Sequence, residues 1–114
     1  MYIKKITGTN AFVPYGAPVG PYRGRTAKDE GTLGGSGLIV KIETDTGLIG
    51  WGEGRRGRFE TDPNTILAGD HVGDIEKTHD KLVQAGINMG AISGIEMALW
   101  DLIGKQADLP IYHL

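Results

Sequence analysis

The sequence predicts an α+β domain in which a three-stranded antiparallel β-meander is followed by about three helices. Apolar and polar residues alternate over residues 38–44, which is typical of a strand with one buried face. Residues 91–107 instead carry apolar side chains at helical spacing. Glycine makes up 19 of the 114 residues, well above the usual share of about 7%. With a normal hydrophobic fraction of 39%, this composition predicts long loops on a small scaffold.

The β-rich half is predicted to contain three strands and two loops. The first strand covers residues 2–13, where β-branched and aromatic residues are frequent and Gly8 indicates a weak point or bulge. Residues 14–35 show proline and glycine without a strand or helix period, so they predict a long loop. Residues 38–44 form the second strand, Asp45-Thr46-Gly47 forms a tight turn, and the third strand runs to Trp51. A second loop, rich in glycine and arginine, is predicted over residues 52–58.

The remaining residues predict three helices packed on one face of the sheet. Asp62-Pro63 indicates an N-cap followed by proline at the first position of a short, weak helix. A second helix is capped by Asp74 and ends at Gly86. The third helix extends from about Ala91 to Ala107 and stops at Leu109-Pro110. The expected core positions of the last two helices are Ile75, Leu82, Val83, Ile92, Ile95, Leu99, Leu102 and Ile103.

Charge and composition exclude several classes of protein. The net charge of −2 argues against a general binder of nucleic acid or anionic membranes. Cysteine is absent, which excludes disulfides, thiolate metal ligands and cysteine nucleophiles. No apolar run approaches the roughly 20 residues of a membrane-spanning helix, and residues 1–5 do not begin a signal peptide. We therefore expect a cytoplasmic protein.

One glycine motif invites a functional interpretation. Gly52, Gly54 and Gly57 spell G-x-G-x-x-G directly after a predicted strand. A dinucleotide site would also need a helix opening at these glycines within a parallel βαβ unit. The preceding strand belongs to an antiparallel hairpin, so we interpret the glycines as giving a loop backbone freedom.

The arginines form the most distinctive polar cluster. Arg55, Arg56 and Arg58 follow the third strand, and Arg23 and Arg25 lie in the earlier loop. They are either solvated loop charges or a clamp for a carboxylate, because guanidinium groups match carboxylates bidentately. The clamp requires the two loops to meet in space, and both loops start at strand ends.

Other titratable residues predict structural roles. Glu96 lies within the apolar stripe, which predicts a hydrogen bond or ion pair for its carboxylate. Asp101 and Lys105 are spaced to pair on the helix surface. The three histidines are scattered and are interpreted as surface residues. The residues show no nucleophile–base set and no metal-binding motif.

Two segments together resemble the mandelate racemase/muconate-lactonizing branch of the enolase superfamily. Residues 91–105 read AISGIEMALWDLIGK and are followed by LPIYHL at 109–114, and residues 38–53 read LIVKIETDTGLIGWGE. Their order and spacing are also those of that branch. The resemblance implies that residues 1–108 are an N-terminal capping domain and that residues 109–114 begin the linker into a C-terminal (β/α) barrel, which this chain lacks.

The resemblance also implies where the chemistry lies. In that family the barrel binds Mg²⁺ through three carboxylates, and Lys or His bases remove a proton next to a substrate carboxylate. No residue here matches those groups, so neither catalytic nor metal-ligating residues are assigned and the 114 residues alone are expected to be inactive. The cap's two loops, over residues 14–35 and 53–60, imply substrate-specificity candidates: Tyr15, Tyr22, Arg23, Arg25, Arg55, Arg56 and Arg58.

The implied parent enzyme is an acid-sugar dehydratase or racemase, assembled as a homo-oligomer. Its partners are the barrel domain and a small carboxylate substrate. Two alternatives remain open. The chain is a stand-alone small-acid-binding or interaction protein, or it is one chain of a split enzyme whose barrel lies on another.

Overall fold

The structure is a computed structural model that describes residues 1–19 and 32–114. Three antiparallel strands in one sheet are followed by three helices, so the predicted fold class is confirmed. The strands are β1 (Ile3–Val19), β2 (Thr32–Thr44) and β3 (Ile49–Arg55). The helices are α1 (Asn64–Leu67), α2 (Ile75–Gln84) and α3 (Met89–Ala107), with a 3₁₀ turn at Ile111–His113.

The sheet is a meander with β2 at its centre, paired to β1 on one side and β3 on the other. The turn predicted at residues 45–47 joins β2 to β3, and Gly47 has a φ of 85°, which favours glycine. Inward residues of β2, among them Val40 and Ile42, are fully buried. The central strand therefore provides the floor on which the helices pack.

The strands are longer than predicted at the end where the loops were expected. Residues 14–19 belong to β1, residues 32–35 to β2 and residues 52–55 to β3. Pro14 pairs with Gly34 at the sheet edge. The N–H of Ile6 points away from β2, and N–H directions alternate along a strand, so the nitrogen of Pro14 also faces away from β2. Proline is tolerated there because it has no N–H to donate. Cross-strand pairing thus overrides the weak local strand preference of glycine and proline.

The predicted bulge at Gly8 is wrong. Gly8 pairs with Val40 in regular register, and the irregularities lie between Ile3 and Lys5 and between Pro14 and Val19. Its lack of a side chain serves packing, because a Cβ there would lie 2.6 Å from Cε2 of Phe59.

Helix α3 supplies most of the helical side of the core. Four residues of its predicted stripe, Ile92, Ile95, Leu99 and Leu102, are fully buried, and Ile103 is partly buried. In α2, Leu82 is buried as expected, but Val83 is 48% exposed, so its predicted core position is wrong. Helix α2 covers the core through one narrow face that ends at Leu82.

The helix ends follow the sequence signals in part. Pro63, not Asp62, is the N-cap of α1, and Asp74 is the N-cap of α2 without a capping hydrogen bond from its side chain. The carboxylate of Asp62 accepts hydrogen bonds from the backbone N–H (3.0 Å) and side-chain amide (2.8 Å) of Asn64, where the single turn of α1 begins. Gly86, just beyond α2, has a φ of 77°, as a C-terminal glycine should. Helix α3 ends at Ala107, as predicted, and Asp108 follows it in the left-handed conformation with a φ of 52°.

Two side-chain pairs involve α3, one with α2 and one within the helix itself. Glu96 has a polar contact, as predicted, and its Oε1 lies 2.6 Å from Nδ1 of His79 in α2. His79 is therefore half-buried rather than a free surface residue. The predicted pair of Asp101 and Lys105 is confirmed at 2.7 Å.

Side chains also occupy both free edges of the sheet. On β3, the N–H of Trp51 donates to Asp101 (2.9 Å), and Lys105 donates to the carbonyl of Ile49 (2.7 Å). On β1, Asn64 accepts from the N–H of Ile6 (2.7 Å) and donates to its carbonyl (2.8 Å). Two outward backbone groups on each edge strand are thereby satisfied without a further strand.

Candidate functional site

The end of β3 is fixed by unusually close packing on α3. Gly50, Gly52 and Gly54 alternate along the strand and face the helix backbone. A Cβ on Gly52 would overlap the carbonyl oxygen of Gly94, and one on Gly54 would overlap that of Gly90. Gly52 and Gly54 are therefore strand residues required by packing, which corrects their interpretation as loop glycines. Their position brings the following arginines against the first turn of α3.

The connection after β3 crosses the helix-facing side of the sheet towards β1. Asn10 of β1 holds its start: Nδ2 donates to the carbonyl of Gly57 (2.5 Å), and Oδ1 accepts from the N–H of Gly57 (3.1 Å). Phe59 then packs over Gly8, and Asn64 bonds Ile6. Three successive contacts thus hold this connection against the edge strand on the far side of the sheet.

Residues 56–58, which we call the arginine ridge, separate two grooves. The ridge contributes Arg56, Gly57 and Arg58 to both walls. One groove has a volume of about 460 Å³ and is also lined by Asn10, Ala11, Phe12 and Ser36. The other has a volume of about 360 Å³ and is also lined by Leu38, Arg55, Glu60, Asn88 and Ala91.

The ridge carries excess positive charge. Arg55, Arg56 and Arg58 are exposed, and within residues 1–19 and 32–114 none of them forms an ion pair. Among the described residues that line the two grooves, Glu60 is the single acid. The arrangement can accept an anion by charge-assisted hydrogen bonds from the guanidinium groups.

The structure thus brings together three of the predicted specificity residues, Arg55, Arg56 and Arg58. Tyr15 lies on the β1–β2 hairpin, and its hydroxyl is 3.4 Å from the position that a Cβ would take on Gly35. Tyr22, Arg23 and Arg25 lie outside the described residues, so whether the two loops meet is not tested.

Sequence reasoning missed the residues that shape the grooves. Asn10 and Phe12 lie on β1, and Ser36 lies on β2, between the predicted loop and the predicted second strand. The sequence carries no local signal for Asn10, because its partner is 47 residues away. Among these lining residues, Glu60 was the one whose place could be inferred from the sequence, because it follows the arginines closely.

A larger apolar groove lies between the edge of β3, α3 and the 3₁₀ turn. It has a volume of about 710 Å³ and is lined by Trp51, Met97, Trp100, Asp101, Lys105, Ile111 and Leu114. Two of its lining residues are exposed tryptophans. Exposed apolar patches of this kind mark interaction surfaces.

The described residues contain no group of three or more histidines and carboxylates placed to hold a metal ion. Within the same ranges, no helix combines the length and apolarity that crossing a bilayer requires.

The fold and the arginine ridge define a small α+β domain that presents exposed arginines beside the first turn of α3. The chain belongs to the family of mandelate racemase/muconate lactonizing enzyme N-terminal domains, which it matches over residues 31–114. This confirms the resemblance noted in the sequence.

Individual relatives include enzymes of two kinds. The chain is 38% identical over 90 residues to a D-galactonate dehydratase of Pectobacterium atrosepticum, a match that covers 68% of the chain and 24% of the relative. A dipeptide epimerase of Enterococcus faecalis, solved with Mg and the dipeptide L-Leu-L-Tyr, superposes with a TM-score of 0.78 at 27% identity. That match covers 99% of the chain and 34% of the epimerase.

An L-talarate/galactarate dehydratase of Salmonella typhimurium superposes with a TM-score of 0.76 at 28% identity, covering 97% of the chain and 32% of that enzyme. The chain thus spans about a quarter of the length of the curated relatives it matches. It spans about a third of the solved ones.

Proposed function

We propose that this chain is the substrate-capping domain of an enzyme that removes a proton next to a carboxylate and thereby dehydrates a sugar acid. Residues 1–108 form the cap, and residues 109–114 lead towards a C-terminal barrel that holds Mg²⁺ and the catalytic bases. The chain itself contributes recognition and closure.

The arginine ridge is the observation that carries this proposal. Three guanidinium groups without a described carboxylate partner suit a polar acid better than an apolar substrate. The names of the two dehydratases indicate sugar-acid substrates, and such polar, charged substrates agree with an arginine-rich surface. Proton removal next to a carboxylate also needs a Lewis acid, and that chemistry is assigned to the barrel.

The apolar groove supports the assignment of a barrel partner. Trp100 and Ile111 lie in it with 41% and 49% of their surface exposed, and Leu114 lines the same groove. In the proposed enzyme the barrel covers this surface, because burying apolar area stabilises the contact between domains.

Reading the coding sequence on the 3′ side of the Leu114 codon and expressing the complete reading frame tests the proposal. We expect about 250 further codons for a barrel, with three acidic ligands and Lys or His bases at strand ends. The product should release water from a sugar acid with Mg²⁺ and lose that activity with EDTA. A stop codon after Leu114 would contradict the proposal and favour a split enzyme or a stand-alone binding protein.

A further inference from the structure

We propose that two copies of this chain pair through the face of the sheet opposite the helices, which we call the outer face. Around a two-fold axis, Lys41 of each copy contacts Glu43 of the other. Trp51 of each copy, at the border with the apolar groove, contacts Ile49 of the other. The inference goes beyond the proposed function and does not depend on it.

Strand alternation divides the residues of β2 between the two faces of the sheet. Val40 and Ile42 are fully buried beneath the helices. Ile39, Lys41 and Glu43 therefore point to the outer face. The side chains of Lys41 and Glu43 keep 33% and 36% of their surface exposed. The outer face is thus a solvated side of an antiparallel sheet, and a partner of matching charge can lie on it.

Charges of opposite sign alternate along the middle of the outer face. Lys41 and Glu43 are two residues apart on β2, and Lys5 lies opposite Glu43 on β1. The Nζ of Lys41 is 3.6 Å from Oε1 of Glu43, beyond the range of about 2.7–3.2 Å for an N–H···O hydrogen bond. Both groups can therefore accept a closer partner, and a second copy supplies both signs at the same spacing.

A two-fold axis that crosses β2 midway between Lys41 and Glu43, at right angles to the strands, brings these charges together. The rotation places each Lys41 over Glu43 of the other copy, so that four groups of alternating sign form a ring. An isologous contact of this kind uses the same patch on both copies. Two sheets stacked face to face lie about 10 Å apart with nearly aligned strands, a distance that paired lysine and glutamate side chains can span.

The same rotation also pairs apolar side chains on β3. Trp51 lies beside Lys41 in the sheet, and Ile49 lies beside Glu43, so each Trp51 is placed over Ile49 of the other copy. Trp51 has 51% of its surface exposed, and the Nζ of Lys41 lies 5.9 Å from its ring centroid, a cation–π distance. One arrangement thus matches charged and apolar residues together, with an aromatic residue of the kind enriched at interfaces.

The test measures self-association by sedimentation equilibrium, in chains that all carry Ile111→Asp to suppress contact through the apolar groove. Lys41→Glu and Glu43→Lys each turn both ion pairs between the copies into repulsions. Each should raise the Kd of the dimer about 10- to 30-fold, because two exposed attractions are lost and two repulsions are gained. Concentrations extend to about 1 mM, since the face of a three-stranded sheet gives a small interface.

Two rescue experiments separate these ion pairs from overall charge. Lys41→Glu combined with Glu43→Lys in one chain keeps the net charge and restores both pairs with their signs exchanged. Its Kd should return to within about 3-fold of that of the Ile111→Asp chain. An equimolar mixture of the two single variants should form a dimer with one copy of each, because opposite charges again face each other.

Glu76→Lys and Lys77→Glu are the matched controls. Both residues are exposed on α2, away from the outer face, and the two variants carry the same net charges as the two outer-face variants. Each control should leave the Kd within about 3-fold, and mixing the two should not strengthen association.

The outcomes decide the proposal independently of the capping function. It is overturned if the Ile111→Asp chain is monomeric at every concentration, or if neither outer-face variant weakens the dimer. It is also overturned if neither the double variant nor the mixture recovers association, or if the controls reproduce these effects. The capping function is decided separately, by the coding sequence beyond Leu114 and the activity of its product.

Discussion

Gly52 shows how a single missing side chain sets the geometry of the arginine ridge. The peptide of Gly94 occupies the space that its Cβ would need, and α3 therefore lies directly on the backbone of β3. Gly54 repeats the contact one step further along. Because interiors are close-packed, even one methyl group has to be accommodated by moving the helix.

We therefore expect Gly52→Ala to destabilise the chain strongly. A displaced helix should lower the free energy of unfolding by about 2–4 kcal/mol, as large overpacking changes do. Urea unfolding followed by circular dichroism measures it. Gly16→Ala is the control, because nothing lies within 4 Å of its Cβ position, and its effect should stay within about 0.5 kcal/mol. Equal effects of the two variants would contradict the packing argument.

Asn10 is a second single residue with a local effect, and its effect is confined to the arginine ridge. Asn10→Ala removes the acceptor of the Gly57 N–H, which should speed hydrogen exchange of that amide about 5-fold, the equivalent of one ordinary hydrogen bond. Exchange measured residue by residue by NMR tests this. Thr9→Ala, at the exposed neighbouring position of β1, should leave Gly57 unchanged. Unchanged exchange in Asn10→Ala would show that the ridge is held by other contacts.

At the scale of elements, α1 is a single turn whose start depends on one carboxylate. The hydrogen bonds from the side chain and then the backbone of Asn64 hold the pKa of the Asp62 carboxyl below its ordinary value of 3.8. A lowered pKa in the folded state means that folding favours the ionised form. The resulting stabilisation is present above about pH 4 and is lost as the pH falls through the lower folded value.

Replacing Asp62 should therefore change the pH dependence of stability. In Asp62→Asn the amide oxygen still accepts the hydrogen bonds but does not titrate. The free energy of unfolding of the original chain should fall, relative to this variant, as the pH is lowered from about 6 to about 3, a range that spans the ordinary pKa of 3.8. Chemical denaturation at several pH values measures the difference. A constant difference across this range would rule out the linkage.

Periodicity predicted the type and order of the elements because both are set by which side chains are buried. The alternation at Leu38, Val40 and Ile42 and the stripe through Leu99 and Leu102 correspond to the core. The extent of the strands was underestimated because Pro14 and Gly34 gain their strand conformation from cross-strand pairing. The arginines were visible as a cluster, whereas Asn10 was not, since its role depends on a contact across the sheet.

At the scale of the whole molecule, the apolar groove sets how the chain behaves without a partner. Trp51, Trp100, Ile111 and Leu114 each expose 41–51% of their surface around it. Water contact with this much apolar area is unfavourable, and a second copy can relieve it.

We therefore expect the chain on its own to form dimers or larger species. Light scattering at high protein concentration measures the mass. Ile111→Asp places a charge in the groove and should shift the population towards monomer. Val83→Asp is the matched control, because Val83 has nearly the same exposure, 48% against 49%, but lies on α2 outside the groove. A monomer at all concentrations would contradict self-association through the apolar groove.

The side chains that occupy the two sheet edges limit the form that such assemblies can take. Asn64 on β1, and Asp101 with Lys105 on β3, each bond two outward backbone groups and so interrupt the row that a foreign strand would need. Growth of a cross-β fibril requires that row of groups to be open. Concentrated or aged samples should therefore associate through side-chain contacts and dissociate on dilution. They should not form the seedable, thioflavin-binding fibres that a three-stranded sheet with open edges would nucleate.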